Sequence, residues 1–66
     1  MRLKINGTIR EIARAGNVED VLANLGYQDR FVAVALNRDC VSRRDFASTA
    51  VQDGDELEVL APMAGG

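Results

Sequence analysis

Apolar and polar residues alternate at the start of the chain, where Leu3 and Ile5 stand between Arg2, Lys4 and Asn6. Asn6-Gly7 follows at once. A tight primed turn needs positive φ at both central positions, which this pair tolerates well. Residues 2–12 are therefore predicted to form a β-hairpin. Its second strand, Thr8 to Ile12, is less regular, because Ile9 and Ile12 cannot face the same side of a flat strand. A bulge or an early strand end near Glu11 is expected to resolve the conflict.

The period then changes. Val18, Val21, Leu22 and Leu25 fall at i, i+3, i+4 and i+7, on one helical face. Asn17 is a suitable N-cap, Glu19 and Asp20 sit where the helix dipole favours negative charge, and Gly26 suits the left-handed residue after the last turn. The spacing predicts a helix over about Val18 to Leu25. Phe31 to Leu36 is a continuous apolar run, the mark of a strand inside a sheet, with Val32, Val34 and Leu36 on the face that packs on the helix. Cys40-Val41-Ser42 is a candidate short strand, and Arg43 to Thr49 a helical turn anchored by Phe46. Asp53-Gly54-Asp55 reads as a turn, after which Leu57 and Val59 alternate with Glu56 and Glu58. Pro62 blocks further ladder pairing. One main helix on a mixed sheet places the chain in the α+β class.

Composition narrows the function. A chain of 66 residues is one small domain, and a domain of that size buries only about 60% of its unfolded surface, which leaves no room for an enclosed active site. No apolar stretch approaches the roughly 18 residues of a membrane span. The N-terminal residues lack the apolar core of a signal peptide and Cys40 is the only cysteine, so a cytoplasmic location is expected. A net charge of −2, with no basic cluster beyond Arg43-Arg44, argues against nucleic acid. Asp53, Asp55, Glu56 and Glu58 gather four of the ten carboxylates within six residues, either a solvated turn and strand face or a patch for a basic partner.

The last residues, Ala64-Gly65-Gly66, stand apart from this regular pattern. Together with the Asn6-Gly7 hairpin, the helix from Val18 to Leu25, Val34-Ala35-Leu36-Asn37, Val41-Ser42-Arg43 and Asp53-Gly54-Asp55-Glu56-Leu57-Glu58-Val59, this end resembles the ThiS family of sulfur carriers in thiamine biosynthesis. Those proteins have a ubiquitin-like β-grasp fold, and the resemblance covers nearly the whole chain. It implies a β-grasp domain over residues 1–61, with a mixed sheet on one main helix and a short second helical turn, followed by a flexible diglycine tail over 62–66. The family often has Asn-Gly after the third strand and Val-Pro-Arg next. Here Asn37-Arg38 puts an arginine where positive φ is expected, at a modest cost, and Val41-Ser42-Arg43 replaces the other.

The resemblance implies a protein substrate and not an enzyme. An activating enzyme of the ThiF type adenylates the Gly66 carboxylate with ATP and magnesium, a sulfur donor such as a cysteine desulfurase displaces AMP, and thiazole synthase consumes the thiocarboxylate. No cofactor or metal is expected to be held tightly by the chain itself. Met63, Ala64 and Gly65 would pass through the partner's channel, where a side chain at Gly65 or Gly66 would obstruct the path. From Pro62 to Gly66 an extended chain reaches roughly 17 Å. Leu60 is expected on the solvent side of the final strand, as a docking residue or a scattered surface leucine. Cys40 has no histidine in the chain as a base and no second metal ligand, so a small packing role is expected. Arg43-Arg44-Asp45 reads as a solvated turn, and Asp53 with Asp55 as a turn lacking the rest of a calcium loop. The rival readings are the small subunit of molybdopterin synthase, a ubiquitin-like modifier, and a plain interaction module. Lys4 is the only lysine, which disfavours chain formation through lysines.

Overall fold

The computed structural model describes residues 1–27 and 32–61. Phe31, Pro62 and the tail residues Met63 to Gly66 lie outside the described residues. The opening hairpin is present as β1 (Arg2–Ile5) and β2 (Thr8–Glu11), paired antiparallel from Arg2 opposite Glu11 to Ile5 opposite Thr8. Asn6 at φ 50° and Gly7 at φ 84° form the primed turn. No bulge interrupts the ladder. β2 ends at Glu11, the Ile12 N–H donates to the Met1 carbonyl at 2.8 Å, and Ile12 turns into the core. Ile9, of opposite parity, points outward and is 56% exposed.

Helix α1 runs Val18–Asn24 with Leu25 as its C-cap. Its start is closed by Asn17 Oδ1, which accepts from the Asp20 N–H at 2.8 Å, while Asp20 Oδ2 accepts from the Gly16 N–H at 3.0 Å. Both acceptors satisfy N–H groups at the helix start that have no intrahelical partner. At the other end Gly26 has φ 89°, the Tyr27 N–H reaches the Leu22 carbonyl at 2.9 Å, and the Gly26 N–H reaches Ala23 at 3.1 Å. This pair of bonds is the Schellman arrangement, which needs a residue at positive φ.

The chain re-enters the sheet as β3 (Ala33–Leu36), turns through Asn37 and Arg38 into β4 (Asp39–Val41), forms a 3-10 helix over Arg43–Ser48, and returns as β5 (Glu56–Leu60). The sheet order is β2-β1-β5-β3-β4, with β5 parallel to β1 and every other neighbour antiparallel. β5 is therefore the central strand. Leu57 is fully buried on it and Val59 nearly so, facing a core that includes Leu3, Val18, Val21, Leu22 and Phe46. Each such apolar side chain stabilises the fold by about 1.5–3 kcal/mol relative to exposure. Val32 and Val34 join this core and Leu36 packs at its margin, as the strand pattern predicts.

Asn37 and Arg38 have φ 50° and φ 73°. The arginine thus occupies the left-handed region expected of that position. Asn37 also ties the turn to β5: its N–H donates to the Glu56 carbonyl at 2.7 Å and its Oδ1 accepts from the Glu56 N–H at 3.0 Å. A third turn, Gln52 to Asp55, is closed by the Asp55 N–H to the Gln52 carbonyl at 3.1 Å, with Gly54 at φ 91°.

Candidate functional site

β5 is the last strand before the tail residues singled out from the sequence, so the surface around its end is the candidate site. Side chains alternate along it. Leu57 and Val59 take the helix side, which puts Glu58 and Leu60 on the opposite, outer face. Leu60 is 74% exposed there, as its position next to Val59 predicts. Its cross-strand neighbour is Ala33, and Glu58 lies opposite Ala35. Ala35 is in turn opposite Cys40 on β4. Small alanine side chains on β3 leave a depression between the bordering strands, a groove of about 350 Å³ lined by Asn6, Ala33, Ala35, Cys40, Glu58 and Leu60.

Cys40 is exposed in this groove, which corrects the expectation of a small packing residue. The reason is register. A two-residue turn at Asn37-Arg38 places Leu36 opposite Asp39 and hence Cys40 opposite Ala35, on the face away from α1. That register was open to reasoning from the length of the turn, and the two alanines of β3 marked the shallow face.

The acidic segment divides by role. Asp53 Oδ1 accepts from the Arg2 N–H at 2.6 Å, and Asp55 accepts from the Gln52 N–H at 2.8 Å and from Asn37 Nδ2 at 3.1 Å. Both carboxylates are thus engaged in holding the turn before β5. Glu58 remains exposed at the groove. Among the described residues no group of His, Cys, Asp or Glu is arranged to hold a metal ion. None of the described helices is long and apolar enough to cross a membrane. Arg43, Arg44 and Asp45 open the 3-10 helix and are exposed, apart from the groove lining.

One feature of the groove had no signal in the hydrophobic pattern. The Asn6 side chain bonds the backbone of Val59 twice, Oδ1 accepting from its N–H at 2.8 Å and Nδ2 donating to its carbonyl at 3.1 Å. The two residues are 53 positions apart in the chain. Met63, Ala64, Gly65 and Gly66, the tail residues singled out from the sequence, lie outside the described residues.

Four strands curled beside one main helix, with a fifth through their middle that leads to a diglycine, define a ubiquitin-like β-grasp protein. The comparisons with known proteins agree. The thiamine biosynthesis protein ThiS from Geobacter metallireducens superposes with a TM-score of 0.82 at 38% identity, each chain covered in full. The sulfur carrier protein ThiS of Escherichia coli K12 is 30% identical, again over the whole of both chains. The chain is also 42% identical over its 66 residues to a thiazole synthase of Paramagnetospirillum magneticum and 30% identical to one of Magnetococcus marinus, spanning about a fifth (20%) of each. The ThiS family profile matches residues 3–66, and the chain belongs to the ThiS family.

Proposed function

We propose that the Gly66 carboxylate is the cargo site of this chain, adenylated and then converted to a thiocarboxylate that supplies sulfur for thiazole formation. As a member of the ThiS family, the protein is a sulfur carrier of thiamine biosynthesis. Its role is that of a protein substrate. A carboxylate is a poor electrophile because its charge is delocalised and its oxygen leaves badly. A ThiF-type enzyme using ATP and magnesium converts it to an acyl adenylate with loss of pyrophosphate. A sulfur nucleophile then adds to the acyl carbon and AMP departs. The sulfur comes from a donor such as a cysteine desulfurase, and these steps take place in the cytoplasm.

The observation that carries this reading is the position of β5. The strand leading to the diglycine is held by neighbours on both sides, and the exposed Leu60 with its groove lies immediately before the tail. On this reading residues 1–61 are the folded body and 62–66 the arm. Leu60 docks on the activating enzyme while Met63, Ala64 and Gly65 thread its channel. Thiazole synthase is the proposed acceptor, supported by the two thiazole synthases that contain a segment similar to the entire chain.

Intact-mass measurement after incubation with a ThiF-type enzyme, ATP, magnesium and sulfide tests the proposal. Exchange of one oxygen for sulfur, located to Gly66 by fragmentation, is expected, and deletion of Gly66 should remove it. An unchanged mass, with the enzyme active on its own carrier, would overturn the reading.

A further inference from the structure

Val59 directs its backbone N–H and C=O toward the β1 side of the sheet, where β1 no longer offers partners. The last β1 residue in the parallel ladder, Ile5, is in register with Leu57, and the chain then reverses through Asn6 and Gly7. A central strand would be left half-paired there, one residue before Leu60, and unpaired backbone groups are strongly disfavoured when shielded from water. The Asn6 carboxamide fills the gap. It presents a donor and an acceptor in the same plane, as a peptide group does, and it closes on Val59 at 2.8 and 3.1 Å.

The turn admits asparagine but does not require it. Glycine, aspartate and asparagine all suit a primed turn, but of these only asparagine has a side chain with both a donor and an acceptor. Because β1 and β5 are parallel, the tip of the first hairpin necessarily lies at the end of the sheet where β5 finishes. Asn6 also lines the groove beside Leu60.

We infer that Asn6 is a positioning residue for sulfur loading: by clamping Val59 it fixes the root from which the tail leaves the domain. This inference rests on the carrier reading above. When the outer face is docked and the tail threaded in an extended form, the location of that root decides where Gly66 arrives. Seven residues after Val59 span up to about 24 Å, so a swing of about five degrees at the root moves the terminus by about 2 Å. Displacements of that size are enough to spoil the alignment of a nucleophilic oxygen with phosphorus.

The structure supplies its own control. Asn37 makes the same kind of side-chain bond to the opposite end of β5, through Glu56, far from the tail. Asn6→Gly and Asn37→Gly each keep a residue at ease with positive φ and remove the side-chain bonds. The measurements are steady-state thiocarboxylation by a ThiF-type enzyme with sulfide, the melting temperature, and hydrogen exchange at the Val59 amide.

Asn6→Gly is expected to exchange faster at Val59 and to lower kcat by roughly ten- to a hundred-fold, with KM changed less than about twofold. Asn37→Gly should lose comparable stability while keeping both constants near the parent values. Asn6→Asp keeps the acceptor for the Val59 N–H but sets a carboxylate oxygen against the Val59 carbonyl in place of the donor, so it should not restore the parent kcat. An Asn6→Gly kcat within twofold of the parent, or an equal loss in Asn37→Gly, would overturn the inference. Failure of the parent protein itself to be loaded would instead count against the carrier reading, and the exchange rate at Val59 would still report on the clamp.

Discussion

Replacing Arg38 by glycine should make the protein more stable, although the substitution removes a whole side chain. Arg38 holds φ 73° at the second position of the β3–β4 turn. In the left-handed region the Cβ of an L-residue crowds the following carbonyl oxygen, at about 1–2 kcal/mol. Glycine escapes this but loses more conformational freedom on folding, which returns about 0.5–1 kcal/mol. The side chain itself contributes little to the balance. Arg38 is exposed and makes no hydrogen bond or ion pair among the described residues. The difference is centred on a net gain of about 0.5–1 kcal/mol. For a domain of this size that corresponds to a rise of about 2–8 °C in melting temperature. Thermal melts followed by circular dichroism, with urea titration to verify an unchanged slope, measure it directly. A lower midpoint, or the same one at constant slope, would refute the argument that backbone strain dominates at this turn.

Two further substitutions separate the core from the proposed docking face. Leu22→Ala removes a buried side chain from the inner face of α1 and should destabilise by about 2–5 kcal/mol. Total stability for a chain this short is of the order of 3–10 kcal/mol, so partial unfolding at 37 °C is expected, and a melting curve matching the parent's would contradict the packing described for α1. Leu60→Asp alters a side chain that is 74% exposed, so the domain should keep its stability to within about 0.5 kcal/mol. The KM for the activating enzyme should rise about tenfold, and an unchanged KM would remove Leu60 from the docking surface.

Much of the fold was legible because its local signals agree with one another. Asn6-Gly7, the four aliphatic positions from Val18 to Leu25 with Asn17 ahead of them, and the alternation through Leu57 and Val59 each predict the element found. Ile9 and Ile12 were harder to place. Their opposite parity is real, and it needs no bulge, because β2 is an edge strand whose Ile9 is left outside while Ile12 closes the core beyond the strand's end.

Cys40 shows a different limit. Composition favours burial of a lone cysteine, but register decides which face it meets, and register followed from the two residues between β3 and β4. Leu60 was predictable from parity alone. The clamp of Asn6 on Val59 was not, since nothing local links residues 53 positions apart and asparagine in a turn is already explained by its tolerance of positive φ.

The placement of β5 at the centre of the sheet has a mechanical consequence. Ladder hydrogen bonds run across the strands, so a pull along β5 from its C-terminal end loads the bonds to β1 and β3 together in shear instead of peeling them one by one. An edge strand in the same role would unzip under a small force. When a partner draws on the last residues, the load therefore spreads into both halves of the sheet at once, and the domain behaves as a rigid handle.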